Sequence, residues 1–112
     1  MSWLEELEAI QSVKRAVLTG HDGLVIEEVG QGGVEAQFLA AEMASLIRAM
    51  APLTEALEEE LRRFTFATDD HEVLAVCFAD YCLGALIDRT GGQRALVGQT
   101  LSRLAATLVE RL

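Results

Sequence analysis

Residues 62–87 of the chain, RRFTFATDDHEVLAVCFADYCLGALI, decide its fold. The start of this stretch alternates phenylalanine with polar or small residues, which is the period of a strand that buries one face. Residues 73–78 and 82–87 are almost continuously apolar, as expected of strands that helices cover on both faces. An acidic turn at residues 69–71 and a short turn at residues 79–80 separate these runs. The stretch therefore predicts a meander of three strands, of which the second and third are central.

A hairpin and a long helix precede this meander. Residues 13–19 and 24–29 are β-rich runs, and the glycines and aspartate between them suit a tight reversal. Residues 34–61 carry leucine and methionine at helical spacing, which predicts a helix. Pro52 cannot donate the intrahelical hydrogen bond and crowds the preceding turn, so we expect a kink or a fresh helix start near Ala51.

Amphipathic helices are also predicted at both ends of the chain. From residue 2 to about residue 11, Trp3, Leu7 and Ile10 fall on one helical stripe and the glutamates fall away from it. Residues 93–112 form the closing helix. Its apolar stripe consists of Val97, Leu101, Leu104, Leu108 and Leu112.

The predicted order of elements is αββαβββα. A hairpin and a meander join most simply through their first and last strands, which gives one five-stranded antiparallel or mixed sheet with the spatial order 2-1-5-4-3. The central pair of strands needs helices on both faces, so the fold class is α+β, an α/β/α sandwich. The sequence contains no internal repeat or linker, and residues 1–112 are predicted to form a single domain.

The two edges of this sheet differ in chemistry. Glu27 and Glu28 charge the first edge, which blocks strand addition. The other edge, residues 62–68, is aromatic and β-branched and has no acid or proline within it. We predict that it pairs with its own copy and brings two central helices side by side. The predicted dimer interface consists of Arg63, Phe64, Thr65, Phe66, Ala67, Ala41, Ser45 and Arg48.

Small residues along the central helix would let that second helix approach closely, although alanine is also simply a good helix former. These small residues are Ala36, Ala40, Ala41, Ala44, Ser45 and Ala49.

Charge and composition exclude several classes of function. The formal net charge is -9 and Lys14 is the only lysine, so nucleic acid and anionic membrane surfaces would repel the molecule. The first residues carry acids where a secretion signal carries basic residues, and no stretch approaches the roughly 20 apolar residues of a membrane span. We therefore expect a cytoplasmic protein without membrane insertion. With Cys77 and Cys82 as the only cysteines, a disulfide scaffold is excluded.

The sequence resembles the roadblock and dynein light-chain family. The resemblance rests on the leading helix with its loop into a strand, on Gly20-His21-Asp22-Gly23-Leu24-Val25-Ile26, on the alanine-rich central helix, and on Leu83-Gly84-Ala85-Leu86-Ile87-Asp88-Arg89 before the last helix. It covers nearly the whole chain. The sequence departs from the family pattern at Pro52, inside a helix that is usually unbroken.

The resemblance implies a central helix on one face of the sheet and the terminal helices on the other. It also implies homodimers built by pairing the third strands and the central helices. Members of the family serve as platforms for small Ras-like GTPases, as bacterial regulators of polarity and motility, and as subunits of motor complexes and membrane scaffolds.

Two clusters of acids with a histidine could be imagined as acid–base or metal sites. They are His21 and Asp22 with Glu27 and Glu28, and Asp69 and Asp70 with His71. Turn formation explains both clusters better, because aspartate and glycine satisfy the backbone of tight turns.

The cysteines and a glycine pair are the other candidates for chemistry. A two-residue turn would make Cys77 and Cys82 cross-strand neighbours, and with His71 they could hold a metal. Structural zinc sites have four ligands, however, and these residues supply three. We therefore favour the interpretation that the two cysteines pack as small apolar thiols. Gly91 and Gly92 precede a helix, but no phosphate-loop lysine or serine follows them. We predict no catalytic, cofactor or metal site.

The sequence thus favours a non-catalytic signalling scaffold, a homodimer that regulates or binds a small Ras-like GTPase. Its paired central helices would present Phe38, Glu42, Ser45 and Arg48 to that partner. The alternatives are a sensor domain that holds a small ligand against the sheet and an architectural subunit of a larger complex.

Overall fold

The computed structural model describes residues 3–112 and confirms the predicted order of elements. The helices are α1 (Glu5–Glu8), α2 (Ala36–Leu57) and α3 (Arg94–Leu108). The strands are β1 (Val13–Gly20), β2 (Val25–Gly30), β3 (Arg63–Ala67), β4 (His71–Phe78) and β5 (Tyr81–Asp88). A single 3₁₀ turn, Arg89–Gly91, links β5 to α3.

The five strands form one sheet with the order β2-β1-β5-β4-β3, as predicted. Every neighbouring pair is antiparallel, which removes the mixed-sheet alternative. The β1–β5 pairing closes the hairpin onto the meander and puts β1, β5 and β4 in the interior. The register follows the short turns, and Cys77 stands opposite Cys82 across the two-residue turn.

Helices cover the sheet on both faces and bury two separate cores. Leu7 of α1 and Leu101 of α3 pack on one face against Leu18 and Ile87. On the other face, α2 buries residues that include Leu39 and Met43 against strand residues such as Val17 and Val73. This arrangement is the one that the family resemblance implies, with α2 on one face and the terminal helices α1 and α3 on the other.

Gly84 of β5 sets how closely α2 approaches the sheet. A Cβ atom at this position would lie 2.6 Å from the sulfur of Met43, so the absence of a side chain provides the space that this methionine fills. This packing of Met43 against Gly84 places the middle of α2 directly on the central strands.

The leading helix is shorter than predicted, and the part of the prediction that falls on Ser2 lies outside the described residues. α1 is a single turn, so Trp3 precedes it and is exposed, while Leu4 is fully buried. Leu7 and Ile10 are buried as predicted. A four-residue helix is stabilised by its packing on the sheet rather than by its own hydrogen bonds, which is why amphipathic spacing overestimates its length.

α2 continues through Pro52, so of the two predicted alternatives, a kink or a fresh helix start near Ala51, the fresh start is wrong. The proline lies on the exposed side of the helix, and the Thr54 hydroxyl donates to the carbonyl oxygen of Ala51 at 3.2 Å. The helix ends at Leu57 because Glu58 adopts a left-handed conformation with φ 56°. Residues 58–61 were predicted to be helical and are not.

The closing helix also ends earlier than predicted, at Leu108 instead of Leu112. Leu108 is buried whereas Leu112 is 42% exposed, so the last residue of the predicted stripe gains less burial to stabilise a further turn. Within residues 3–112, no helix is long and apolar enough to cross a membrane.

Candidate interaction surface

β3 forms an open edge of the sheet, and two hydrogen bonds define which of its backbone groups face outward. The N–H of Cys77 donates to the carbonyl oxygen of Arg62 at 2.7 Å, and the N–H of Thr68 donates to that of His71 at 2.9 Å. In an antiparallel ladder such pairs alternate with pairs whose polar groups point away. The backbone groups of Arg63, Thr65 and Ala67 therefore point away from β4.

The two phenylalanines of β3 lie on the face of the sheet that α2 covers. Phe64 stands opposite Ala75 and Phe66 opposite Val73, and both partners belong to the core under α2. Phe64 is half-buried, but Phe66 is 52% exposed. The predicted buried face of this strand is therefore only partly covered within one chain.

An apolar groove of about 460 Å³ runs between α2 and the outer strands β3 and β4. α2 lies closest to β1 and β2, which leaves the outer part of the same face open. The helix side of the groove is formed by Phe38, Leu39, Glu42, Met43 and Leu46, and the strand side by Phe66, Thr68, His71, Glu72 and Val73. Gly33, Val34 and Leu86 complete its lining.

The residues predicted to bind a partner do not all face this groove. Phe38, which is 58% exposed, and Glu42 line it. Ser45 is exposed on the outer side of α2. Ala41 lies on the opposite side, where the backbone of Gly23 packs closely against it. Arg48 is exposed one helical repeat beyond Ala41, so it shares that side.

The small residues of α2 serve two different purposes. Ala36, Ala40 and Ala44 are buried under the helix and let it lie close to its own sheet. Ala41, Ser45 and Ala49 are exposed and remain available for a second helix. Sequence spacing does not separate the two sets, because the assignment depends on which side of the helix meets the sheet.

Exposed apolar residues extend the groove along the second half of α2, and sequence reasoning missed them. Met50, Leu53 and Leu57 were predicted to share a stripe with Leu39 and Met43, yet all three are exposed. They lie on the groove side of the helix, beyond the part that rests on the sheet. Their helical spacing was visible in the sequence, whereas their exposure required the position of the sheet.

The charged residues of the other edge strand, β2, make contacts within the chain. The carboxylate of Glu27 accepts a hydrogen bond from the backbone N–H of Leu4 at 3.2 Å. Glu28 lies 3.8 Å from the guanidinium of Arg15, which also donates to the carbonyl oxygen of Gly30 at 2.7 Å. β2 is thus flanked by its own chain and by charge, and β3 remains the open edge.

The side chains of the candidate acid–histidine clusters make hydrogen bonds within or beside backbone turns. Asp22 accepts a hydrogen bond from the N–H of Leu24 at 3.0 Å, and His21 Nε2 lies 3.2 Å from the carbonyl oxygen of Tyr81. In the second turn, the hydroxyl of Thr68 accepts from the N–H of His71 at 3.3 Å. Within residues 3–112, no group of three or more potential ligands could hold a metal ion.

The loop before α3 is held by hydrogen bonds of its own. Asp88 accepts from the N–H and the hydroxyl of Thr90 at 2.9 and 2.7 Å, and these bonds lower the pKa of its carboxyl group. Gly91 packs against Ser12, where a Cβ atom would lie 2.8 Å from the serine Cβ. Gly92 has φ 70°, a conformation that favours glycine. Close packing thus accounts for Gly91, and backbone conformation accounts for Gly92.

The chain is similar to known proteins in sequence and in fold. The family model described as Roadblock/LC7 domain matches residues 2–87. No curated protein matches the chain significantly.

Several solved structures share the fold. A Roadblock/LC7 domain from Streptomyces avermitilis has a TM-score of 0.83 at 20% identity, with 96% of this chain and 93% of that chain covered. MglB of Myxococcus xanthus has a TM-score of 0.76 at 18% identity, covering 88% and 81% of the two chains. The gliding protein MglB from Thermus thermophilus has a TM-score of 0.72 at 18% identity, covering 94% and 87%.

Proposed function

The chain belongs to the Roadblock/LC7 domain family, and from this membership we propose that it is a non-catalytic homodimeric module that binds a small Ras-like GTPase. The family is one of regulatory and binding domains. The observation that carries the proposal is the open β3 edge beside an apolar groove, because together they form a surface that a single chain leaves uncovered.

The dimer is supported by the way in which edge and groove complement each other. Pairing of two β3 strands would satisfy the outward backbone groups of Arg63, Thr65 and Ala67. The same operation would bring the two α2 helices together, so that each covers the exposed Phe66 of the other chain. A two-fold arrangement of this kind uses one surface twice and closes on itself.

A proline at Thr65 tests the strand pairing. The N–H of Thr65 points away from β4, so Thr65→Pro removes a hydrogen bond of the dimer and spares the ladder within the chain. We expect sedimentation equilibrium to show a dimer for the wild type at micromolar concentration and a folded monomer for this variant. Phe66→Pro is less suitable, because the N–H of Phe66 belongs to the ladder with β4.

Thr65→Val is the matched control, since valine keeps both the N–H and the preference for strands. It should remain dimeric. A Thr65→Pro protein that stays dimeric while its circular dichroism is unchanged would remove the strand-pairing proposal, as would a wild type that is monomeric at every concentration.

The GTPase part of the proposal rests on the family and on the exposed face of α2. All four predicted partner-binding residues are exposed: Phe38 and Glu42 line the groove, Ser45 lies on the outer side of α2, and Arg48 lies on the side away from the groove. The net charge of -9 favours a partner surface that carries basic residues. An exposed aromatic residue is the strongest single anchor that such a face can offer.

Binding should therefore depend on Phe38. We expect calorimetry with Ras-like GTPases of the source organism, each loaded with GDP or with a non-hydrolysable GTP analogue, to detect binding that prefers one nucleotide state. Phe38→Ala should weaken it at least tenfold, about 1.4 kcal/mol. Gln37→Ala, on the neighbouring exposed position, is the control and should bind normally. Failure of every GTPase to bind a verified dimer would overturn this part alone.

The groove itself favours one other function, a sensor for an apolar small molecule. A cavity of about 460 Å³ falls within the range of ligand sites, and most of its lining is apolar. A thermal-shift screen with metabolites decides between the two functions. A large shift that Thr65→Pro retains supports a ligand site within one chain.

A further inference from the structure

Two cysteines face each other across the β4–β5 hairpin. Cys77 pairs with Cys82, as the two-residue turn predicts, and their Sγ atoms lie 3.5 Å apart. Both are free thiols, and Cys77 is 6% and Cys82 0% exposed. Packing as small apolar groups explains their burial but not their direct opposition.

The backbone around this pair has the geometry that a disulfide requires. The N–H of Cys77 donates to Arg62 on β3, so the polar groups of Cys77 point away from β5. Cys77 and Cys82 are therefore a non-hydrogen-bonded pair, in which opposite Cα atoms lie about 4.5 Å apart. Disulfides span Cα separations of about 4.4–6.8 Å. The strand register therefore needs no change to bring the two sulfur atoms, which lie 3.5 Å apart, to bonding distance.

One of the two thiols lines a cavity large enough for a small molecule. A cavity of about 310 Å³ lies at this end of the sheet, lined by Cys77 together with Ile47 and Ala51 of α2. Its rim includes the exposed residues Glu59 and Asp80. A water-sized molecule occupies roughly 30 Å³, so a peroxide fits. Cys82 does not line this cavity and is reached through Cys77.

The electrostatics of the pair agree with the roles that the cavity gives the two sulfur atoms. The hydrogen bond between the two thiols lowers the pKa of Cys77 against the opposing effect of burial. The same hydrogen bond, burial and the charge of an ionised Cys77 all raise the pKa of Cys82. Because the thiolate is the reactive form, the thiol that lines the cavity is also the better nucleophile.

We propose that Cys77 and Cys82 form a reversible intrachain disulfide when the protein meets hydrogen peroxide. The Cys77 thiolate attacks one peroxide oxygen, the O–O bond breaks, and hydroxide leaves, so that Cys77 becomes a sulfenic acid. Cys82 Sγ then attacks Cys77 Sγ. The S–O bond breaks and the hydroxyl departs as water with the proton of Cys82. In total, two thiols lose two electrons and two protons, and one peroxide becomes two waters.

Mass spectrometry tests the proposal on the full-length protein, which is oxidised in its folded state and then digested with trypsin. Treatment with one equivalent of hydrogen peroxide should remove two hydrogen masses from the tryptic peptide of residues 64–89, which holds both cysteines. Dithiothreitol should restore them by thiol–disulfide exchange. Thiols that both stay open to alkylation after denaturation, or a disulfide that joins two chains, would overturn the proposal.

Two matched variants test the assigned roles. Cys82→Ser lacks the resolving thiol and should accumulate a sulfenic acid at Cys77 that dimedone traps. Cys77→Ser should stay unreactive, because the remaining thiol does not reach the cavity. Equal dimedone labelling of both variants would contradict the roles. The wild-type mass decides on the disulfide itself if either variant fails to fold.

Discussion

At the scale of single residues, the clearest energetic contrast is between two ion pairs on the α3 side of the sheet. Glu72 is buried, with a side chain 7% exposed, and both of its carboxylate oxygens lie 2.9 Å from Nε of Arg94. Glu6 and Arg103 form an exposed pair that links α1 to α3. A buried carboxylate without its partner keeps its desolvation cost, whereas an exposed one returns to water.

Arg94→Ala should therefore lower the free energy of unfolding by about 1–3 kcal/mol, since it leaves Glu72 buried and unpaired. Arg103→Ala, the control, removes the same kind of side chain from the same helix and should leave stability almost unchanged. Urea denaturation of both variants measures the difference. Equal losses would mean that α3 is stabilised by the arginine stems packing on the sheet rather than by the buried carboxylate.

At the scale of secondary-structure elements, the strands could be predicted from the sequence because their signals are local. β4 and β5 are continuous apolar runs, and the two-residue turn between them fixes their register, so the opposition of Cys77 and Cys82 was predictable before any coordinates. The open edge at β3 followed in the same way, from its composition and from the order of the strands. The length of a turn and the composition of a strand are properties of residues that are neighbours in the sequence.

The helices were predicted less well because their ends depend on tertiary contacts. α2 stops at a Schellman motif in which the N–H groups of Glu58 and Glu59 donate to the carbonyl oxygens of Glu55 and Thr54 at 3.1 Å. Glycine normally occupies the left-handed position of this motif. A glutamate there gives no signal in the sequence, so the predicted helix continued to Leu61.

The groove could not be predicted for a related reason. Apolar spacing along α2 identified one stripe, but only the position of the sheet divides this stripe into a buried part at Leu39 and Met43 and an exposed part at Leu53 and Leu57. The helix extends past the strands that would cover it. An incomplete face of this kind becomes visible only when both elements are in place.

At the scale of the whole molecule, two opposing energies determine the stability of the proposed dimer. They are the attraction of an apolar contact and the electrostatic repulsion between two acidic chains. Each protomer carries a net charge of -9, so two protomers repel each other over distances comparable to the Debye length. The apolar part of the proposed contact is formed by Leu46 and Phe66, which carry no charge. The attraction is therefore insensitive to salt, and the repulsion is not.

Dimerisation should accordingly become tighter as sodium chloride is raised from about 0.02 M to about 0.15 M, where the Debye length shortens to about 8 Å. Sedimentation equilibrium at the two ionic strengths measures the change, and we expect the dissociation constant to fall severalfold. Chloride is preferred to sulfate, because sulfate also strengthens apolar contacts by exclusion from the protein surface. A dimer that weakens in salt would instead be held by ion pairs, with Arg63 on the open edge as the first candidate, and strand pairing would then be secondary to charge.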